Sequence, residues 1–189
     1  MPLPSRFLNG NNGLLMRQVK SFIGAVLILI GLLSLVTIFL PSKVTVSKTI
    51  LINAKDSAVR AQVEDLKNWK NWYPAFQNKN MIITQSIRND TVFGELSAEN
   101  QNKLRVAIVI PQQSTINIFF ADIKKQKENF QFLVVPGSAG KTNVTLNVNS
   151  DLGWYPWKKL VGIFLDKITG PEYEAALKNI KKAAENVNP

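Results

Sequence analysis

Residues Ile52–Pro74 read "INAKDSAVRAQVEDLKNWKNWYP". Asn53 or Asp56 can cap a helix on which Val59 and Val63 stand four apart and Leu66 three further on. Immediately behind, Trp69, Trp72, Tyr73 and Phe76 crowd into a chain that holds only 4 tryptophans in 189 residues. Their spacing predicts a second short helix that stops near Pro74, since the residue before a proline is pushed out of the helical region. Rings so arranged can stack nucleic-acid bases, form a membrane-interface belt, or close an apolar cleft. Base stacking needs exposed rings on a basic groove. These rings alternate instead with apolar partners at helical spacing, so the cleft reading is preferred and no nucleic-acid partner is expected.

On either side the period falls to two. Lys43–Ile52, "KVTVSKTILI", sets Val44, Val46, Ile50 and Ile52 on one face and Thr45, Ser47 and Thr49 on the other, a half-buried strand. After the aromatic stretch, Met81, Ile83 and Ile87 lead to a turn at Asn89-Asp90, and Val92, Gly94 and Leu96 return. A polar loop is expected over Glu99–Asn102. Leu104, Val106, Ile108 and Ile110 alternate until Pro111-Gln112-Gln113. Ile116, Ile118 and Phe120 make the next strand, Phe130, Phe132 and Val134 another, and Val144, Leu146 and Val148 the last. One strand, two short helices and six strands in hairpin succession describe an antiparallel meander.

The C-terminal part is helical. Trp157, Leu160, Val161, Phe164 and Ile168 stand at helical spacing, and Gly170-Pro171 is expected to interrupt the run. A new helix then starts with Pro171 in its first turn and Glu172 and Glu174 at the positive end of its dipole. Tyr173, Ala176, Leu177, Ile180 and Ala184 form one stripe, which needs the sheet to cover it.

Near the other end, Phe22–Leu40 reads "FIGAVLILIGLLSLVTIFL". It carries no charge and no polar face. As a helix it spans about 28 Å at roughly 1.5 Å per residue, close to the thickness of a bilayer core. A cleaved signal peptide has a shorter apolar region and small residues at its cleavage site, whereas this run ends in Phe39-Leu40-Pro41. The expected organisation is a short basic tail over 1–21, a single membrane-spanning helix over 22–40 and one domain over 43–186. Arg6, Arg17 and Lys20 precede the span while Lys43, Lys48 and Lys55 follow it, so the lysine and arginine rule nearly ties. A short basic N-terminus usually stays in the cytoplasm, which puts the domain on the extracytoplasmic side of the cell membrane.

Composition excludes much chemistry. There is no His and no Cys, which removes imidazole or thiolate metal sites, the Ser-His-Asp triad and thiol nucleophiles. No metal and no cofactor is expected. The net charge of +10 suits an anionic surface, but the lysines are scattered except at Lys124-Lys125-Gln126-Lys127, which reads as a solvated basic exterior. "GSAGKT" at Gly137–Thr142 precedes a strand and reads as a hairpin turn. "NVT" at Asn143 lies mid-strand and is discounted as a glycosylation acceptor.

The order of elements resembles the SRPBCC or START-like superfamily, and within it the polyketide cyclase/dehydrase-like proteins. The residues that carry the likeness are Ile52–Pro74, with its "A-x-x-x-V" helix and "D-x-x-x-W-x-x-W-x-P" turn. "GKTNVTLNV" as final strand and "GPEYEAALKNIKKAAE" as closing helix support it. Leu146 departs from the pattern, standing where many relatives have Trp, and so does the apolar N-terminal segment. The resemblance covers residues 43–186 and implies an α+β helix-grip fold, a curved antiparallel sheet of about seven strands wrapped on a long C-terminal helix. It also implies a cavity between sheet and helix. Trp72, Tyr73, Phe76, Phe93, Phe120, Trp157 and Phe164 are the candidate lining residues, and Trp69 reads as core. Trp154, Tyr155 and Trp157 also suit a membrane-interface belt, with Lys158-Lys159 toward anionic lipid.

The expected function is a membrane-anchored binding protein for an apolar or amphipathic small molecule, lipid included. Two readings stay open beside it. One is an enzyme of the cyclase or hydrolase kind, with Glu95 and Arg105 as acid–base candidates. Both alternate against apolar neighbours and face water unless the concave face is the other one. The other is an envelope interaction module whose core is filled by side chains.

Overall fold

The structure, a computed structural model, describes residues 11–77, 81–89, 91–98, 104–112, 114–121 and 128–186. The Glu99–Asn102 loop and the Lys124–Lys127 cluster lie outside the described residues.

Helix α1 (Asn11–Ile38) comes first, then β1 (Lys43–Ile52), α2 (Asp56–Glu64), a 3-10 turn at Leu66–Asn68, α3 (Trp69–Trp72) and a second 3-10 turn at Pro74–Phe76. Six strands follow: β2 (Met81–Arg88), β3 (Thr91–Ala98), β4 (Leu104–Gln112), β5 (Thr115–Ala121), β6 (Glu128–Pro136) and β7 (Thr142–Asp151). Helices α4 (Pro156–Gly162) and α5 (Leu165–Asn186) close the chain.

All neighbours in the seven-stranded sheet are antiparallel, in the order β1-β7-β6-β5-β4-β3-β2. β1 and β2 therefore stand at opposite edges, and the segment from α2 to Phe76 carries the chain from one edge to the other. Period two sets the faces. Val46, Ile52, Leu96, Val106, Ile108, Ile118, Phe132, Val144 and Leu146 are buried on the inner face. The outer face carries Phe93 and Phe119 exposed on β3 and β5, and from β1 to β5 a polar side-chain ladder crosses it. Ser47 Oγ donates to Asn147 Oδ1 (2.7 Å), Asn147 Nδ2 to Gln131 Oε1 (3.3 Å) and Gln131 Nε2 to Asn117 Oδ1 (3.2 Å). The Asn89 turn is made with φ 47°, a conformation that Asn tolerates through local hydrogen bonding of its short side chain. β4 continues through Pro111 to Gln112, with a register irregularity against β5 between Val109 and Gln112.

Helix α5 buries Gly170, Tyr173, Ala176, Leu177, Ile180 and Ala184 and packs on β1, α2 and α3. The break expected at Gly170-Pro171 is not there: α5 runs through both residues, and the interruption falls at Ile163-Phe164 between α4 and α5. Two local features explain it. A Cβ on Gly170 would lie 3.0 Å from Lys48 Cε and 3.0 Å from Asp166 Oδ1, so this glycine is where α5 passes over a side chain. Pro171 and Lys167, the residue whose carbonyl loses its amide partner to the proline, are both exposed, so that carbonyl is open to solvent. Lys48 takes an inward phase on β1 and holds α5 through Asp166 (3.1 Å) and Glu174 (3.1 Å). Hydrogen bonds to Glu174 and then Asp166 raise its ammonium above the ordinary lysine value.

Gly94 on β3 admits the 3-10 turn. A Cβ there would stand 2.0 Å from Leu66 Cδ1 and 3.3 Å from Val106 Cγ2, and Leu66 is fully buried. Gly94→Ala should therefore destabilise by about 1–3 kcal/mol, the usual cost of overpacking, and Gly94→Val by more. A denaturation midpoint unchanged by either would show that Leu66 has room to swing aside.

Candidate functional site

The aromatic segment sits where the C-terminal end of α2 needs partners. A helix leaves its last carbonyls without amide donors. Ala61 O accepts the backbone N–H of Asp65 (3.4 Å) and Asn68 Nδ2 (2.9 Å). Gln62 O accepts Trp72 Nε1 (2.8 Å) and Val63 O accepts Trp69 Nε1 (2.9 Å). Asp65 caps the next turn by accepting the amide of Lys67 at 2.9 Å. The two indoles thus fill the core with their rings and cap α2 with their N–H groups. Both are fully buried.

From them an aromatic chain crosses the inner face. Trp72 meets Phe132 edge-on with centroids 5.7 Å apart, and Trp69 meets Tyr73 at 5.7 Å. Tyr73 stacks on Phe120 at 6.3 Å and touches Phe76 at 5.2 Å. Phe120 packs edge-on against Phe130 at 4.8 Å, and Phe130 against Tyr173 of α5 at 5.8 Å.

Two hollows flank this chain. Between α5 and the sheet, Tyr73, Pro74, Phe130, Thr169, Tyr173 and Ala176 line a cleft of about 120 Å³. It is smaller than the roughly 300–1,000 Å³ usual for small-molecule pockets. At the strand ends, Lys43, Val44, Thr45, Phe120, Asn149 and Ser150 line a wider cleft of about 570 Å³. Phe130 borders the first and Phe120 the second, so their ring pair stands between the two. Ser150 is 6% exposed, and its hydroxyl has no hydrogen-bond partner among the described residues. A buried hydroxyl without a partner is costly.

The other named residues lie elsewhere. Phe93 is 44% exposed and stands in register with Ala107 and Phe119 on the outer face. Trp157 and Phe164 are 62% and 54% exposed. Glu95 and Arg105 sit opposite each other in the β3–β4 register, on the outer face, with Nε 3.3 Å from Oε2. Phe130, Phe132, Tyr173 and Ser150 belong to the interior without having been singled out as lining. Each continues an apolar phase visible in the sequence, Ser150 as the fifth inward position of β7. On α2, burial raises the Glu64 carboxyl above its ordinary value although Arg60 beside it acts the other way.

Helix α1 contains a 24-residue stretch, Leu15–Ile38, long and apolar enough to cross a membrane. Its side chains are exposed along nearly the whole length, Thr37 excepted. Arg17 and Lys20 lie near the start of this stretch.

No family model and no curated protein matches the chain. Solved structures do. A START superfamily protein from Mycobacterium smegmatis aligns with TM-score 0.60 and 18% identity over 77% of this chain and 99% of that one. The Zhui aromatase/cyclase from a Streptomyces species aligns with TM-score 0.57 and 11% identity over 76% and 94%. A protein of unknown function from Staphylococcus aureus aligns with TM-score 0.60 and 10% identity over 77% and 95%. With its meander sheet, its crossing aromatic segment and its long closing helix, the domain after α1 has the helix-grip fold of START and aromatase/cyclase structures.

Proposed function

We propose that the protein is a membrane-anchored binding protein for an apolar or amphipathic small molecule, a single-chain lipid being the best fit. The observation that carries this reading is the strand-end cleft. It joins an apolar wall at Phe120 and Val44 to Ser150, whose buried hydroxyl has no partner among the described residues, with Lys43 and Asp151 at the rim. That pairing suits a ligand with a greasy body and one polar end. The START and cyclase neighbours support it at the level of fold. β1 begins five residues after α1 ends, so the cleft lies close in the chain to the proposed anchor. A sparingly soluble ligand in the bilayer is then presented to it at high effective concentration. A short basic N-terminus usually stays in the cytoplasm, and on that reading the domain stands on the extracytoplasmic side.

Glu95 and Arg105 pair with each other outside the interior, so they lend the cyclase- or hydrolase-like alternative no poised acid. The filled-core interaction module has one observation in its favour, the small size of the cleft beneath α5.

Thr45 is an exposed rim residue on β1, so Thr45→Trp blocks the mouth without touching the core. The full chain in mild detergent should enhance the fluorescence of cis-parinaric acid, a probe with a fatty acyl body. Thr45→Trp should weaken that binding roughly tenfold or more, about 1.4 kcal/mol, with no change in melting temperature. Equal binding by both proteins would remove the cleft from the account.

A further inference from the structure

The stripe Trp157, Val161, Phe164 and Ile168 has the spacing of a buried helix face, yet it is exposed at 62%, 52%, 54% and 62%. Trp154 beside it is 75% exposed, and Phe39, just past the end of α1, 89%. Contiguous apolar surface of this kind marks a docking face. The rings are already ordered against one another. Trp154 and Tyr155 stack at 4.6 Å, Tyr155 and Trp157 lie 5.1 Å apart, and the Lys158 ammonium stands 5.2 Å from the Tyr155 ring centre.

What covers this face is indicated by where α4 is tied. Lys159 Nζ donates to Thr37 O at 3.2 Å and Leu40 O at 3.1 Å. Those carbonyls sit at the C-terminal end of α1, where intrahelical donors run out, Thr37 O taking the Leu40 amide at 3.3 Å, and where the helix dipole has its negative end. Behind α4, Leu152 N donates to Ser42 O at 2.8 Å. A Cβ on Gly162 would meet Leu152 Cδ1 at 2.3 Å, so α4 lies close over that linker. The exposed stripe is thereby held at the level where the apolar helix ends.

We infer that α4 and the first turn of α5 form an interfacial face seated in the headgroup layer of the bilayer that α1 crosses. This rests on the reading of α1 as a membrane span. Trp and Tyr favour that depth because one side of each ring is apolar and the other polar, and Lys158 meets anionic headgroups there. The domain is then held in one orientation by two contacts, the span and the interfacial helix.

The test uses the full chain reconstituted in phosphatidylcholine vesicles containing anionic phosphatidylglycerol and lipids brominated at shallow or deep acyl positions. Flotation of the protein with the vesicles checks the span. Tryptophan emission checks the face, because Trp69 and Trp72 are fully buried while Trp154 and Trp157 are not. The expected result is quenching by the shallow bromines, less by the deep ones, and loss of the quenchable share in Trp154→Phe/Trp157→Phe at unchanged flotation and unchanged melting temperature. Vesicle-bound protein whose emission is unquenched, or quenched equally in the double variant, overturns the interfacial face alone. So does crosslinking of Trp154 and Trp157 to a second copy without quenching. Failure to float overturns the span and the face with it.

Discussion

Trp72→Ala is expected to leave the domain at or beyond the edge of unfolding at room temperature. Truncating a buried tryptophan costs about 3–5 kcal/mol. Removal of the indole also takes the Trp72 Nε1 donor away from the buried Gln62 carbonyl, at a further 1–3 kcal/mol or so. The total stability of a domain is commonly about 5–15 kcal/mol. Trp69→Ala acts in the same way through Val63 O. Trp72→Phe separates the two roles, since it keeps a ring beside Phe132 and removes the donor. It should lose roughly 1–3 kcal/mol and still fold. Denaturant melts of the full chain in detergent, with near-ultraviolet circular dichroism as the signal, read all three. A Trp72→Ala protein within 1 kcal/mol or so of wild type would be incompatible with a core and capping role.

Phe130→Ala is expected to destabilise by about 3–5 kcal/mol and to change what the interior can hold. Phe130 is 4% exposed and packs between Phe120 and Tyr173. Without its ring the cleft under α5 and the strand-end cleft meet. Apolar cavities made by such truncations stay dry and take up benzene-sized molecules. Saturating benzene should therefore raise the melting temperature of Phe130→Ala more than that of wild type, because a ligand that binds only the folded state stabilises it. Equal responses from both proteins would mean that the Phe120–Phe130 pair is not what divides the interior.

The meander was legible because each strand keeps one face apolar, and strict alternation survives any tertiary context that buries one face. Ile116, Ile118, Phe130, Phe132, Val144 and Leu146 all point where their phase requires. The helices after β7 were harder. Gly170-Pro171 carries the local signature of a break, but Gly170 is spent on the passage of Lys48, and Pro171 faces water. The stripe from Trp157 to Ile168 has the period of a core face. Periodicity reports that a helix has an apolar side and cannot say whether sheet or lipid covers it. The rings of Trp69 and Trp72 were readable as apolar, whereas their N–H bonds to Val63 and Gln62 depend on how the chain turns at Asp65. Ser150 was hidden because serine ends many strands, and only burial in three dimensions makes its hydroxyl exceptional. Phase alone cannot say which face is concave, so it leaves Glu95 and Arg105 open to either side; in the fold they lie on the outer face and meet each other.

On the proposed function, the strand-end cleft holds an amphipathic molecule beside the bilayer. Native mass spectrometry of the full chain, extracted from its host membrane in mild detergent, tests this. The expected result is a bound amphiphile at one per chain in the wild-type protein and its loss from Thr45→Trp at unchanged fold. Wild-type protein that flies empty, or an adduct retained equally by Thr45→Trp, would contradict it.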